Sequence, residues 1–195
     1  MVHGGANYDD IYSVVQTTDG GYATVGETHS FGPANCNMNL TKYTSYGILS
    51  WSKTWVGTGS EWSNSFVQTS DGGFAITGGT NSYGAGVCDM FLAKYTSNGT
   101  LSWTKTWGGT GDDGGLSLFQ ASDGGFVIGG YTDSYGAGDY DMLFAKFTSN
   151  GIIKNCSSPM CQSPTATVTT PTATTTSPSV TVINSPFTPT TIIAP

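Results

Sequence analysis

The chain repeats itself three times with a period of 52 residues, marked by Gln16, Gln68 and Gln120. Self-similarity at such a period restricts a chain to architectures in which one supersecondary unit packs on the next. Around the three glutamines stand Val-Val-Gln-Thr-Thr-Asp-Gly-Gly-Tyr (14–22), Phe-Val-Gln-Thr-Ser-Asp-Gly-Gly-Phe (66–74) and Leu-Phe-Gln-Ala-Ser-Asp-Gly-Gly-Phe (118–126). Met38, Met90 and Met142 match further on, as do Lys42, Lys94 and Lys146. Leu-Ser-Trp-x-Lys-Thr-Trp occurs at 49–55 and 101–107, and its third copy is cut short at Ile152-Ile153-Lys154-Asn155. The units are 3–54, 55–106 and 107–155, within a repeat domain of residues 1–155.

Each unit reads as four short antiparallel strands. Asp-Gly-Gly closes the first hairpin, because successive glycines accept positive φ. A Gly/Ser/Asn-rich loop follows the second strand, and a turn such as Ser97-Asn98-Gly99 joins the third to the fourth. Useful helical periodicity is absent. In Met90–Tyr95 one face shows Phe91, Ala93 and Tyr95 and the other Met90, Leu92 and the Lys94 stem. A sheet with one wet face alternates more cleanly. The expectation is that each sheet lies between neighbours, like a propeller blade, and that the end units leave apolar faces to be covered.

The motifs Thr/Ser-Asp-Gly-Gly-[Phe/Tyr], Gly-x-Thr-x-Ser-[Tyr/Phe]-Gly, Asp-Met-x-x-x-Lys-[Tyr/Phe]-Thr-Ser-Asn-Gly and Trp-x-Lys-Thr-Trp-Gly-Gly resemble the SBBP-type β-propeller repeats of secreted bacterial and archaeal surface proteins. The resemblance covers residues 3–155 and implies a fold and a compartment, not a reaction. Three units fall short of the four to eight blades of a propeller. The expected fold is therefore all-β: an incomplete ring, a ring closed by another chain, or a three-sheet prism.

Residues 156–195 form a different region. Seven of the eight prolines and twelve threonines lie there, and no charged side chain follows Lys154. One reading is an extended, O-glycosylated stalk. The sharper one is strand donation, in which Ser179-Val180-Thr181-Val182-Ile183 adds to a neighbour's sheet edge. Flanking prolines confine such a strand to an edge.

Composition narrows the partners. Charged residues are 10% of the chain, the formal charge is −7, and all six basic residues are Lys. An acidic chain without Arg is poorly suited to nucleic acid, and no apolar run reaches the ~20 residues of a membrane helix. No signal peptide is visible at Met1. An extracellular address is argued instead from four cysteines, the mucin-like tail and three sequons at Asn39, Asn98 and Asn155. Copies of the chain itself are the expected partners, in an oligomer or filament, with glycans as the second candidate.

Catalysis has little to stand on. The Asp-Gly-Gly turns invite comparison with sialidase Asp-boxes, but an Arg cluster for the substrate carboxylate is missing. Asp9, Glu61 and Asp113 occupy equivalent positions, which spread carboxylates around a repeat axis instead of pairing them on one bond. They read as loop and turn residues. His3 and His29 show no metal-ligand spacing, and no cofactor is implied. Asp139 and Asp141, near Asp133, are candidate Ca²⁺ ligands, against the simpler reading of a polar loop. Phe31, Tyr83 and Tyr135 recur in the loop after the second strand and are candidate sugar-stacking rings, with loop packing as the alternative. For the cysteines, Cys156–Cys161 is the favoured disulfide. Cys36–Cys88 requires Cα atoms within about 7 Å, although packed sheets lie about 10 Å apart, and free thiols or inter-chain bonds are alternatives.

Overall fold

A computed structural model describes residues 4–32 and 36–153. The expectations for Asn155, Cys156, Cys161 and Ser179 to Ile183 lie outside the described residues. Eleven strands and no helix make up the described chain. The first sheet is β1 (Asp9–Gln16), β2 (Tyr22–Thr28), β3 (Asn37–Tyr43) and β4 (Leu49–Trp55). The second is β5 (Glu61–Gln68), β6 (Phe74–Thr80), β7 (Asp89–Tyr95) and β8 (Leu101–Trp107). The third has only β9 (Asp113–Gln120), β10 (Phe126–Thr132) and β11 (Asp141–Phe147). Each is an antiparallel meander in sequence order. The three sheets do not close into a ring.

The third sheet departs from the four-stranded expectation. Where the earlier units carry Leu-Ser-Trp-x-Lys-Thr-Trp, this one continues from Ile153 as Lys-Asn-Cys-Ser-Ser-Pro, without either Trp. Among the described residues only the single bridge Phe147–Ile153 begins the fourth strand.

Local chemistry sets the turns. Gly20, Gly72 and Gly124 sit at φ of 80°, 79° and 77°, in the left-handed region that favours glycine. Asp19 Oδ1 accepts the Gly21 N–H at 3.0 Å, and Asp71 Oδ1 accepts that of Gly73 at 3.0 Å. The third strand's lysine reaches back to the same aspartate: Lys42–Asp19 and Lys94–Asp71 are both 2.9 Å, Lys146–Asp123 2.6 Å. A bulge sits in the first strand of every unit, skipping Tyr12, Asn64 and the stretch opposite Gly129 and Gly130.

The second sheet is the middle layer. Every residue of β6 and β7 is buried. On one side Phe66, Phe74, Ile76, Phe91, Ala93 and Tyr95 pack on Ala23, Val25, Met38, Leu40 and Trp55 of the first sheet. On the other, Ala75, Met90, Leu92 and Trp107 pack on Leu118, Phe126, Ile128, Leu143, Ala145 and Phe147 of the third. The absence of clean alternation in these strands thus reflects burial on both faces.

Candidate functional site

Two joints between units are built from the same parts. The Thr18 N–H donates to Gln68 Oε1 at 2.8 Å, and the Ser70 N–H to Gln120 Oε1 at 2.9 Å, so each repeat glutamine braces the preceding unit's turn. The Glu61 N–H donates to the Cys36 carbonyl at 3.1 Å and the Asp113 N–H to that of Cys88 at 2.9 Å. Tyr83 stacks on Trp55 with centroids 5.6 Å apart, and Tyr135 lies 5.2 Å from Trp107. Their hydroxyls donate to the carbonyls of Val56 (3.0 Å) and Gly108 (3.2 Å).

Joint chemistry therefore occupies Tyr83 and Tyr135, both half-buried against the preceding unit's last strand. Phe31 differs. It lines a cavity of about 150 Å³ on the outward face of the first sheet, with Asp9, Thr24, Asn39, Thr41 and Tyr43. In the second unit the positions of Thr24, Asn39 and Thr41 hold Ile76, Phe91 and Ala93, and in the third Ile128, Leu143 and Ala145. The first unit has exchanged part of its siblings' apolar docking surface for polar groups, while Val14 and Tyr22, the equivalents of Phe66 and Phe74, remain apolar and are 61% and 39% exposed. Asn39 Nδ2 donates to Ser52 Oγ at 3.0 Å, and the Thr41 hydroxyl to Asn39 Oδ1 at 2.6 Å.

Among the described residues the opposite end is uncapped. Met142, Phe144 and Phe119 are 95%, 75% and 64% exposed. The equivalents of the first two, Met90 and Leu92, are each 1% exposed. Gly129 pairs with Phe144 in the ladder, and a Cβ placed on it meets nothing within 4 Å. The described residues thus end in an apolar face with a hollow in it and, along β11, a sheet edge.

The equivalent acids each close their own unit's loop. Asp9 accepts from the Gly5 N–H and the Ser30 hydroxyl, both at 2.7 Å, and from the Thr28 hydroxyl. Glu61 accepts from the Gly57 N–H at 2.9 Å and from Ser82, and Asp113 from the Gly109 N–H at 2.8 Å and Ser134 at 2.6 Å. Burial pushes Glu61 above the usual carboxylate range despite these donors. At Asp9 burial pulls the same way, but the hydrogen bonds prevail and its pKa is lowered. No two of these acids share partners.

Asp141 Oδ2 accepts the Ala137 N–H at 2.9 Å, and Asp139 is exposed. Together with Asp133 they do not form a three-donor group. Asn98 is a turn residue whose Oδ1 accepts the Thr100 N–H at 3.2 Å. Cys36 and Cys88 are buried free thiols, each against a carbonyl of the following unit: Glu61 at 3.4 Å and Asp113 at 3.6 Å. Burial first, then the Glu27 carboxylate, pushes the Cys36 thiol up to about 12.

One grouping escaped the sequence reading. Glu27, His29 and Cys36 bring their donor atoms within 4.8 Å of one another. Motif spacing gave no signal, because a loop separates Cys36 from Glu27 on β2 and His29 just after it. Comparison between units would have: Glu27 and His29 stand where the second unit has Gly79 and Asn81 and the third Tyr131 and Asp133.

No protein-family model and no curated protein matches the chain.

Proposed function

We propose that this is an extracellular structural protein that self-assembles through its third sheet, with the tail of a neighbouring copy adding as a strand along β11. The observation that carries the reading is the exposure of Met142 and Phe144 at positions where the repeat elsewhere buries its core. Contiguous apolar surface of this kind marks an interface, and an edge that among the described residues is bridged only at Phe147–Ile153 is a template for another strand. The occupant is argued from chemistry. A head-to-tail neighbour would set this face on the mixed, pocketed first sheet, where Asn39 and Thr41 stand beside Val14 and Tyr22, whereas a second copy's third sheet matches it apolar to apolar, in an isologous contact. The donor is the β-branched run Val180-Thr181-Val182-Ile183, which main-chain pairing can hold at an edge. Removal of residues 163–195 tests the donor: assembly is lost or weakened, and assembly of unchanged size would contradict it.

A second reading rests on the first-sheet cavity. An aromatic ring at Phe31 beside Asp9, Asn39 and Thr41 is the combination that holds a sugar, with a stacking face and fixed hydrogen-bonding groups. A glycan array separates the readings: binding lost in Phe31→Ala and retained in Tyr83→Ala favours this pocket.

A further inference from the structure

Glu27 sits near the end of β2 with its side chain 15% exposed, and its near neighbours are Tyr12, whose hydroxyl bonds it, His29 and Cys36 instead of a lysine. Its Oε1 is 3.7 Å from His29 Nε2, and the Cys36 thiol donates to its Oε2 at 3.1 Å. Lys42, Lys94 and Lys146 pair elsewhere, with Asp19, Asp71 and Asp123. Tyr8 packs edge-on against His29 with centroids 5.5 Å apart, fixing the ring from behind. Asp9 and Asp10, which pair with Thr28 and Glu27 across the β1–β2 ladder, are engaged by Ser30 and by Tyr8.

We infer that Glu27, His29 and Cys36 form a binding site for a borderline-soft divalent metal ion, Zn²⁺ foremost. Donor chemistry selects the class: carboxylate, imidazole and thiolate together suit Zn²⁺, whereas Ca²⁺ takes hard oxygens alone. Geometry permits it. Bonds of about 2.0–2.3 Å to a tetrahedral ion put donors roughly 3.3–3.8 Å apart, within reach of the present 4.8 Å limit by small side-chain rotations. Binding would release the Cys36 proton to solvent, and the metal–thiolate bond replaces the S–H. The fold does not require these residue types, since the second and third units do without Glu27 and His29 at the same positions. Three protein donors leave one position for water or an incoming group. The Cys36 carbonyl already accepts the Glu61 N–H, so an ion here would tie β2 and the start of β3 to the second sheet.

Titration of the reduced full chain with Co²⁺ tests the site. One equivalent should give thiolate-to-metal charge-transfer absorption with tetrahedral d–d bands. His29→Gln should weaken binding at least 10-fold, and Cys36→Ser should abolish the charge-transfer band. Cys88→Ser and the Cys156→Ser/Cys161→Ser pair should retain it. Zn²⁺ should raise the Tm of the parent and not of His29→Gln, a variant of a one-third exposed side chain that keeps the fold testable if Cys36→Ser does not fold. Absence of charge transfer in the parent, or a band that survives in Cys36→Ser, would overturn the site.

Discussion

Met142 holds the place of Met90 in the repeat, yet Met90 is 1% exposed and Met142 95%. Met90 pairs with Trp107 on β8, and the third sheet packs over it. Among the described residues Met142 has neither a β8-like strand beside it nor a following sheet above it. One side chain thus serves as core or as surface according to whether a neighbour follows.

The aromatic clasp should account for much of each joint. Trp55 is fully buried under Tyr83 and against Phe91. Trp55→Ala should cost about 3–5 kcal/mol, read as a lower denaturant midpoint at unchanged slope. Tyr83→Phe removes only the hydroxyl bond to Val56 and should cost about 0.5–1.5 kcal/mol. Equal losses in the two variants would contradict the clasp.

Glycines at the first-strand bulge should tolerate no side chain. A Cβ on Gly78 would stand 1.9 Å from the Trp62 carbonyl oxygen, and one on Gly26 1.8 Å from that of Asp10. Gly78→Ala should destabilise by about 1–3 kcal/mol or more, since backbone must move. Gly129→Ala meets open space, and exchanging a strand glycine for alanine should stabilise by about 0.5–1 kcal/mol. Thermal unfolding of the two variants checks the opposite signs.

The Asp-Gly-Gly turns should weaken in acid. The Thr69 hydroxyl, with Lys94 and the Gly73 amide, holds Asp71 down to about 2, and Asp19 is lowered for the same reasons. Because the folded pKa lies below the ordinary value near ~3.9, the unfolded chain binds more protons in this window. The stabilisation is complete above pH ~4 and is lost as pH falls toward 2. The Tm advantage of the parent over Asp71→Asn should be flat from pH 7 to 4 and shrink below. A difference that stays constant to pH 2 would exclude this linkage. Glu61, raised by burial, titrates in the opposite sense in both proteins and cancels in the comparison.

Much of this fold is legible in the sequence, because Asp-Gly-Gly, Asn-Gly and the two-faced strands are local signals that packing reinforces. Strand ends at Gln16, Gln68 and Gln120 and at Trp55 and Trp107 follow from them. The bulges are not legible, since Tyr12 and Asn64 share no composition that marks them. Nor is the sandwiching of Tyr83 and Tyr135 between units, which depends on where Trp55 and Trp107 end. At the first sheet the expected apolar face is interrupted by polar residues, although Val14 and Tyr22 are exposed on it. Asn39 and Thr41 stand there where the pattern calls for Phe91 and Ala93, and that difference was readable from the repeats themselves. The Glu27–His29–Cys36 grouping was hidden because residues of unlike spacing meet only once β2 and β3 pair.

The most direct test is the molar mass of the reduced full chain by light scattering, beside the Met142→Lys/Phe144→Lys variant. Both positions are exposed, so the variant should keep the parent's Tm. The parent should run as a dimer or larger assembly and the variant as a monomer of 20.3 kDa. A monomeric parent, or a variant that assembles as the parent does, would contradict docking through the third sheet.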